Sequence, residues 1–301
     1  MREADVAMYR AKLTDGDHIN VFDSLLEAEV AQRLDLDAAL RHAVERDELR
    51  VSAQPIVMLN TGVITGFEML LQWHRPGQPV LYPGSFIPLA EDNGLIVEIG
   101  RWVLYETVQT LARWRADGLA LDLTMSVNVS PRQVREAGFA DEVLDLLDAA
   151  GLPPEALIIE LTEHALVDLR VAHPTLARLR EAGVSVSLDD FGTGYSSLTQ
   201  LRTLPVDQIK LDRSFAAALD QGGDAKQRAV VQSVVALASA LSLDLVVEGI
   251  ETLAERDTLL DLGADKGQGF LYHQPVLWDA ARATLESGGV CAVPADGATP
   301  G

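Results

Sequence analysis

From residue 121 onward, short apolar runs alternate with helical segments, and this alternation narrows the fold more than any other feature of the chain. Strands are expected at 121–128, 156–160, 184–189, 206–211 and 243–248, with a last short one near 264–271. Helices fill the gaps. The first is opened by Ser130, Pro131 and Gln133, a capping box with proline at the first helical position, and is expected to run to Gly151. The next ends at Gly183, and another follows the 206–211 strand to about Leu241. The helix at 252–262 has its own capping box, Thr252 with Glu255, and is closed by Gly263. Strands alternating with helices imply a mainly parallel sheet, and this many units imply closure into a barrel.

The chain before this repeat reads differently. Strands at 49–57 and 63–71 flank the turn Asn60-Thr61-Gly62, which is hairpin chemistry. A Pro- and Gly-rich loop at 73–85 leads to helices at 85–92 and 100–117, the second stopped by Gly118. Residues 23–47 form a charged amphipathic helix carrying Leu25, Leu26, Val30, Leu34, Leu40 and Val44, a connector or lead-in to the barrel. Residues 1–22 read as a short helix and a strand around 18–22; the stripe Ala4, Ala7, Met8 and Ala11 has nothing nearby to cover it and looks like the end of another domain. The barrel is therefore expected over 48–286, with a loose Gly-, Ala- and Pro-rich tail over 287–301.

With 24 Lys and Arg against 45 Asp and Glu, the chain carries a formal charge of −21 and has no basic run. Such a surface repels nucleic-acid polymers and anionic membranes. The lone Cys291 excludes an internal disulfide and suits a reducing cytoplasm. The N-terminal MREADVAMYRAK has no apolar signal core, and the most apolar region, 229–247, is interrupted by Gln232, Ser233, Ser239, Ser242 and Asp244.

The strand ends carry the chemistry. Glu68 lies on the second strand, and the later strands end in Asn128, Glu160, Asp189 with Asp190, Lys210 and Glu248. In β/α barrels these ends converge on one face, where active sites form. Any one of them has an ordinary explanation: Glu68 as a surface residue, Asn128 as a turn former, Asp189 as a helix N-cap, Lys210 as a salt-bridge partner for the acids around it. As a set they read as a site. Carboxylate and amide oxygens without His or Cys suit Mg2+ or Mn2+ rather than zinc. Adjacent Asp189 and Asp190 could bridge or divide two ions, an arrangement that recurs in phosphodiester hydrolysis. Lys210 would orient the attacking water or stabilise phosphorane charge, and Glu248 would be the general base or complete a metal shell. The stretch VSVSLDDFGTGYSS at 184–197 delivers both aspartates into a loop where Gly192 and Gly194 permit tight turns; Tyr195, Ser196 and Ser197 then lead into a helix-like segment.

These residues, with AQPIVMLNTGVITGFEMLLQW, PGSFIPLAEDNGLI, SVNVSPRQ, LIIELTE, LDDFGTGYSSLTQLRTLPVDQIKLDRSF, VVEGIET and GQGF, make the chain from about Arg33 to Trp278 resemble the EAL-domain phosphodiesterases that open cyclic di-GMP to linear pGpG. The resemblance implies a TIM-like (β/α)8 barrel with an antiparallel first strand. It implies Glu68, Asn128, Glu160 and Asp189 as metal ligands, Asp190 serving a second metal, Lys210 near the reactive water and Glu248 as general base. It further implies Glu163 as a brace for the loop after Asp190, Glu251 as a second supporting carboxylate, and Gln54 and Gln268 as pocket-lining residues. Residues 1–22, with ADVAMYRAK and HINVF, resemble the end of a GGDEF diguanylate cyclase domain whose signature is absent here. The chain so read is a cytoplasmic piece of a longer protein with upstream GGDEF and sensory domains, whose membrane anchoring the sequence leaves open. A homodimer is a further implication of the family.

The sequence departs from the family at four places. The name-giving triplet is Glu68-Met69-Leu70, and Val247 and Phe270 are apolar exchanges. More consequential is Gln72, where the family has an arginine that contacts a substrate phosphate. Glutamine brings neither charge nor a rigid fork, so weakened binding with intact chemistry is expected. That substitution keeps a second reading alive, a weakly catalytic sensor or scaffold for cyclic di-GMP. A metal-using barrel for sugar phosphates fits the strand ends alone but not the extended motifs.

Overall fold

Two ten-residue strands, β1 (Leu49–Met58) and β2 (Ile64–Trp73), pair antiparallel with Leu49 opposite Trp73 and Gln54 opposite Glu68. They belong to a computed structural model that describes residues 24–163, 169–193, 201, 203–219 and 225–291. β1 is buried along almost its whole length, as befits a strand with neighbours on both edges and cover on both faces. β2 then starts a parallel run through β3 (Thr124–Asn128), β4 (Leu157–Thr162), β5 (Ser185–Phe191), β6 (Gln208–Leu211), β7 (Asp244–Val247) and β8 (Lys266–Gly267). β8 returns to β1 antiparallel, Gly267 opposite Val57, and closes an eight-stranded barrel. A short β9 (Val276–Leu277) adds to β1 at Ala53 and Ser52. This is the TIM-like barrel with an antiparallel first strand that the sequence led us to expect.

The helices follow the chain order. α1 (Ser24–Leu40) precedes the barrel, and α2 (Pro83–Asn93) and α3 (Ile96–Ala116) join β2 to β3. α3 buries Ile96, Ile99, Val103, Leu104, Val108 and Leu111, a stripe at helical spacing. The lead-in helix stops at Leu40 rather than running to Asp47, because turns take over and Glu48 N–H donates to the Ala43 carbonyl at 2.9 Å, redirecting the chain into β1. α1 is tied to the barrel by Arg75–Asp35 at 2.8 Å and by Asn93 Nδ2 donating to Asp37 Oδ1 at 2.6 Å.

The single helix expected from Ser130 to Gly151 is two, α4 (Pro131–Val134) and α5 (Phe139–Ala149). Gly138 separates them with a φ of 86°, a left-handed angle that no helix interior accommodates. The Ser130 capping box forms as expected, with Ser130 Oγ accepting from Gln133 N–H at 3.3 Å and Gln133 Oε1 accepting from Ser130 N–H at 3.1 Å. α6 (Leu169–Glu181) follows β4. After β6 the expected continuous helix is α7 (Arg213–Ala217) and α8 (Ala225–Ala240), the stretch 220–224 lying outside the described residues. α9 (Leu253–Asp261) carries the second capping box, on Thr252 and Glu255, and α10 (Trp278–Glu286) follows β9.

Phe67, Trp114 and Trp278 stack edge to face, with 5.8 Å between successive centroids, and tie β2, α3 and α10 together. Residues 289–291, inside the stretch expected to be a loose tail over 287–301, are held in place. Gly289 O accepts from Ile64 N–H and Cys291 N–H donates to Gly62 O, both at 2.9 Å, so residues 289–291 pack on the hairpin turn and Cys291 is buried. The stretch resembling a cyclase end at 1–22, the Tyr195–Ser197 segment and 292–301 lie outside the described residues. Among the described residues no helix is long and apolar enough to cross a membrane.

Candidate active site

Parallel register brings the strand ends to one level. Asn128 pairs with Glu160, and Glu68 faces Ser126 across β2 and β3. Strand alternation turns Glu68, Asn128, Glu160, Asp189 and Lys210 inward at the carboxyl end of the barrel. Lys210 is fully buried there. Its Nζ lies 2.7 Å from Glu248 Oε1, 2.8 Å from Glu68 Oε2, 2.9 Å from Glu160 Oε2 and 3.4 Å from Asp189 Oδ1. One ammonium among four carboxylates is a net negative assembly in a low-dielectric place, which is unfavourable without further cations.

The titration behaviour follows. Burial pushes Glu160 well above the usual carboxylate range and Asp189 above it, with Lys210 pulling the other way. Burial likewise raises Glu248, to about 8. Glu68 goes down instead: burial alone would raise it, but Lys210 and the donors on Gln268 and Asn128 outweigh burial. For Lys210, burial favours the neutral amine, yet Glu160, Glu248 and Glu68 hold it well above its usual value.

Neighbouring amides orient the acids. Asn128 Nδ2 donates to Glu68 Oε1 at 2.8 Å, leaving its Oδ1 available as a ligand. Gln268 Nε2 donates to Glu68 Oε2 at 2.6 Å and to Glu248 Oε1 at 3.0 Å, so this glutamine belongs to the carboxylate cluster. Gln54, opposite Glu68 on β1, sends its Nε2 towards the His273 carbonyl at 3.4 Å. Gln72 near the end of β2 shares a 3.0 Å hydrogen bond between its Oε1 and His74 Nε2. Glu251 is exposed, and its backbone N–H donates to Glu255 Oε2 at 2.7 Å; among the described residues its carboxylate has no hydrogen-bond or ion-pair partner in the cluster.

The turn after β5 is built for its position. Asp190 has a φ of 56°, which a short polar side chain tolerates, and its N–H donates to Asp189 Oδ1 at 2.9 Å. Gly192 follows at a φ of 98°, where a Cβ would come within 2.6 Å of the Phe215 ring. Its N–H donates to Glu163 Oε2 at 2.9 Å, so Glu163 holds the start of this loop.

The donor set fits a hard divalent cation. Glu68, Glu160 and Asp189 offer oxygens all within 4.8 Å of one another, and so do Asp189, Asp190 and Glu248. The two sets share Asp189. Among the described residues the buried Glu160 Oε1 has no hydrogen-bond partner, an orphan that a cation would satisfy. Beside the cluster opens a cavity of about 500 Å³, reached by Glu68, Asn128, Asp189 and Asp190 and walled by Pro83, Ile87 and Ile96 from α2 and α3. The α2 and α3 wall carried no functional role in the sequence reading, although PGSFIPLAEDNGLI spans it. Its signal was an apolar helix face interrupted by one acid, Glu91.

The EAL domain profile matches residues 37–275. The chain belongs to the EAL domain family. Among its relatives, the bifunctional diguanylate cyclase/cyclic di-GMP phosphodiesterase MucR of Pseudomonas aeruginosa is 41% identical over 277 residues, covering 92% of this chain and 40% of MucR. Cyclic di-GMP phosphodiesterase PdeR of Escherichia coli is 35% identical over 277 residues, covering 92% of this chain and 41% of PdeR. The chain thus spans less than half the length of these curated relatives. The structure of the PaMucR phosphodiesterase in complex with c-di-GMP superposes with a TM-score of 0.77 at 40% identity, covering 82% of this chain and 99% of that one. In this EAL domain the triplet's middle residue, Met69, is buried against the cavity.

Proposed function

We propose that this EAL domain hydrolyses cyclic di-GMP to linear pGpG. The observation that carries the reading is Lys210 buried among Glu68, Glu160, Asp189 and Glu248, with two overlapping oxygen sets and an orphaned Glu160 oxygen beside an open cavity. The relatives' activity supports the substrate.

Glu68, Asn128, Glu160 and Asp189 would hold one Mg2+ or Mn2+, with Asp190 extending the set to a second. Such ions polarise a phosphodiester and ease ionisation of an attacking water. In the net reaction the water oxygen bonds to phosphorus, the P–O3′ bond breaks, and the leaving 3′-oxygen gains a proton. The Glu248 carboxylate would accept the water's proton, and its raised pKa suits a base working near neutrality. The Lys210 ammonium offsets charge on the phosphoryl oxygens and keeps Glu248 and Glu68 in place. Asn128 and Gln268 fix the Glu68 carboxylate, and Glu163 holds the turn that presents Asp190.

A second reading, a weakly catalytic cyclic di-GMP sensor or scaffold, is favoured by one observation: Gln72 has no charge and is engaged with His74. Upstream GGDEF and sensory domains in a longer protein, with this end cytoplasmic, are part of the proposal; the diguanylate cyclase activity named for MucR and the relatives' greater length support the GGDEF part of it. Homodimerisation of the EAL domain rests on the family resemblance and is measured by sedimentation velocity. The deciding experiment is turnover of cyclic di-GMP with Mg2+ or Mn2+ beside a Glu248→Ala control. Appearance of pGpG that the control loses is expected. Tight binding without product would replace the enzyme by the sensor.

A further inference from the structure

A second cavity, of about 330 Å³, opens between the start of β1, α3 and the start of α10, and shares no lining residue with the first. Two tryptophan–acid pairs define it. Trp102 and Glu106 stand one turn apart on α3, so indole and carboxylate lie side by side on one helix face. Trp278 and Asp279 open α10. Both indoles are half-buried, whereas Trp73 and Trp114 are closed into the core. Leu49, Val51 and Leu277 add aliphatic surface, and Asp47 and Arg50 complete the lining. Arg50 is the one cation there, and its guanidinium is spent. It donates to the two Asp47 carboxylate oxygens at 2.9 and 3.0 Å and to the Asp47 and Leu49 carbonyls at 2.8 and 2.7 Å. Among the described residues the Glu106 and Asp279 carboxylates have no hydrogen-bond or ion-pair partner. Asp279 is at home in the first turn of α10, where the helix dipole favours an acid. Glu106, in the middle of α3, has no such support.

The chemistry of the walls selects the occupant. Among the described residues no three of these acids converge as those of the active site do, so a metal ion has no cage here. A second copy of the chain is disfavoured by its own charge of −21. An organic cation meets every wall at once. A guanidinium or alkylammonium head is attracted to indole faces and to carboxylates together, and a short aliphatic stem rests on leucine and valine. The chain makes the same pairing internally, where the Arg75 guanidinium lies 5.4 Å over the Trp73 ring. A volume of about 330 Å³ suits a molecule of amino-acid size. We infer that this pocket is a second ligand site, which takes a free organic cation with a guanidinium or alkylammonium head between Trp102, Trp278, Glu106 and Asp279. The assignment is independent of the cyclic di-GMP reading.

The test follows the four tryptophan indole N–H signals of the 15N-labelled chain by NMR, assigned by single substitutions, during titration with agmatine at constant ionic strength. Agmatine carries a guanidinium and an ammonium on one aliphatic stem, and butylurea serves as a neutral counterpart of similar shape. Agmatine is expected to shift the Trp102 and Trp278 signals saturably while Trp73 stays fixed, and butylurea to shift none. The double variant Glu106→Gln with Asp279→Asn is expected to bind agmatine at least about tenfold more weakly, because charge-assisted hydrogen bonds are lost. Trp102→Phe, which keeps a π face, should change the affinity less than about threefold, and Trp102→Leu should weaken it at least about fivefold. Circular dichroism and Tm check that each variant folds. Shifts that never saturate, equal binding of butylurea, or an unchanged affinity in the double variant overturns the assignment and leaves only general attraction of cations to an acidic surface. A capped Gly-Arg-Gly peptide that binds at least about tenfold tighter than agmatine overturns the free ligand and gives the pocket to an arginine of a partner protein. Cyclic di-GMP turnover bears on none of these outcomes, so failure here leaves the proposed activity standing.

Discussion

Lys210 shows how one residue organises a site. Of its four carboxylate neighbours, three lie on three different strands and Glu248 directly follows a fourth, so no local sequence window contains the arrangement. The position of each residue was nevertheless legible, because strand alternation assigns inward-facing ends and barrel topology brings those ends together. What was not legible was where each side chain turns. Gln268, expected as a pocket residue, also donates to Glu68 and Glu248, and Glu251, expected as a supporting acid, has an exposed side chain. A sequence gives a residue's place along a strand and leaves its rotamer to the packing around it. Gln72 is where the residue scale is most open to experiment. Restoring a charged fork with Gln72→Arg should add one charge-assisted contact and lower the KM for cyclic di-GMP about tenfold or more, with kcat little changed. Steady-state kinetics read this directly, and an unaltered KM would mean that position 72 does not touch the substrate in this protein.

At the scale of elements, the strong local signals held. Both capping boxes form, and each helix start they marked is within one residue of the observed one. Thr252 Oγ1 accepts from Glu255 N–H at 3.2 Å while Glu255 Oε2 accepts from Thr252 N–H at 3.0 Å. Thr252→Ala is expected to lower unfolding stability by about 1 kcal/mol in a urea titration, with the m-value unchanged. A loss below about 0.3 kcal/mol would mean that the Glu255 half of the box suffices. Breaks inside helices were less legible than starts. Gly138 splits α4 from α5 although the flanking residues keep a helical period, because glycine in a helix pattern signals either tolerance or termination and only the φ distinguishes them. The β5 turn was legible for the opposite reason, since two glycines so close to two aspartates have few structural uses.

For the whole molecule, the acid cluster links metal, pH and stability. A carboxyl with a raised folded pKa stabilises the fold fully below its unfolded value. For Glu248 that contribution is lost as pH climbs from about 4.5 towards about 8. Glu160 and Asp189 shift in the same direction. Protein in EDTA is therefore expected to melt at a lower temperature at pH 8 than at pH 6, and Mg2+ or Mn2+ to raise Tm more at pH 8, where the ligands are ionised. Differential scanning fluorimetry across this window checks it; equal metal shifts at both pH values would argue against ion binding at these acids. The closed topology has a further consequence. β1 is held between β2 and the last strands of the chain, β8 and β9, and the hairpin turn is held by residues 289–291. On the ribosome, one edge of β1 waits while roughly two hundred further residues are made, on the order of 10–40 seconds at usual synthesis rates. The seam of this barrel is the last part to be born, and β1 is an open template until it arrives.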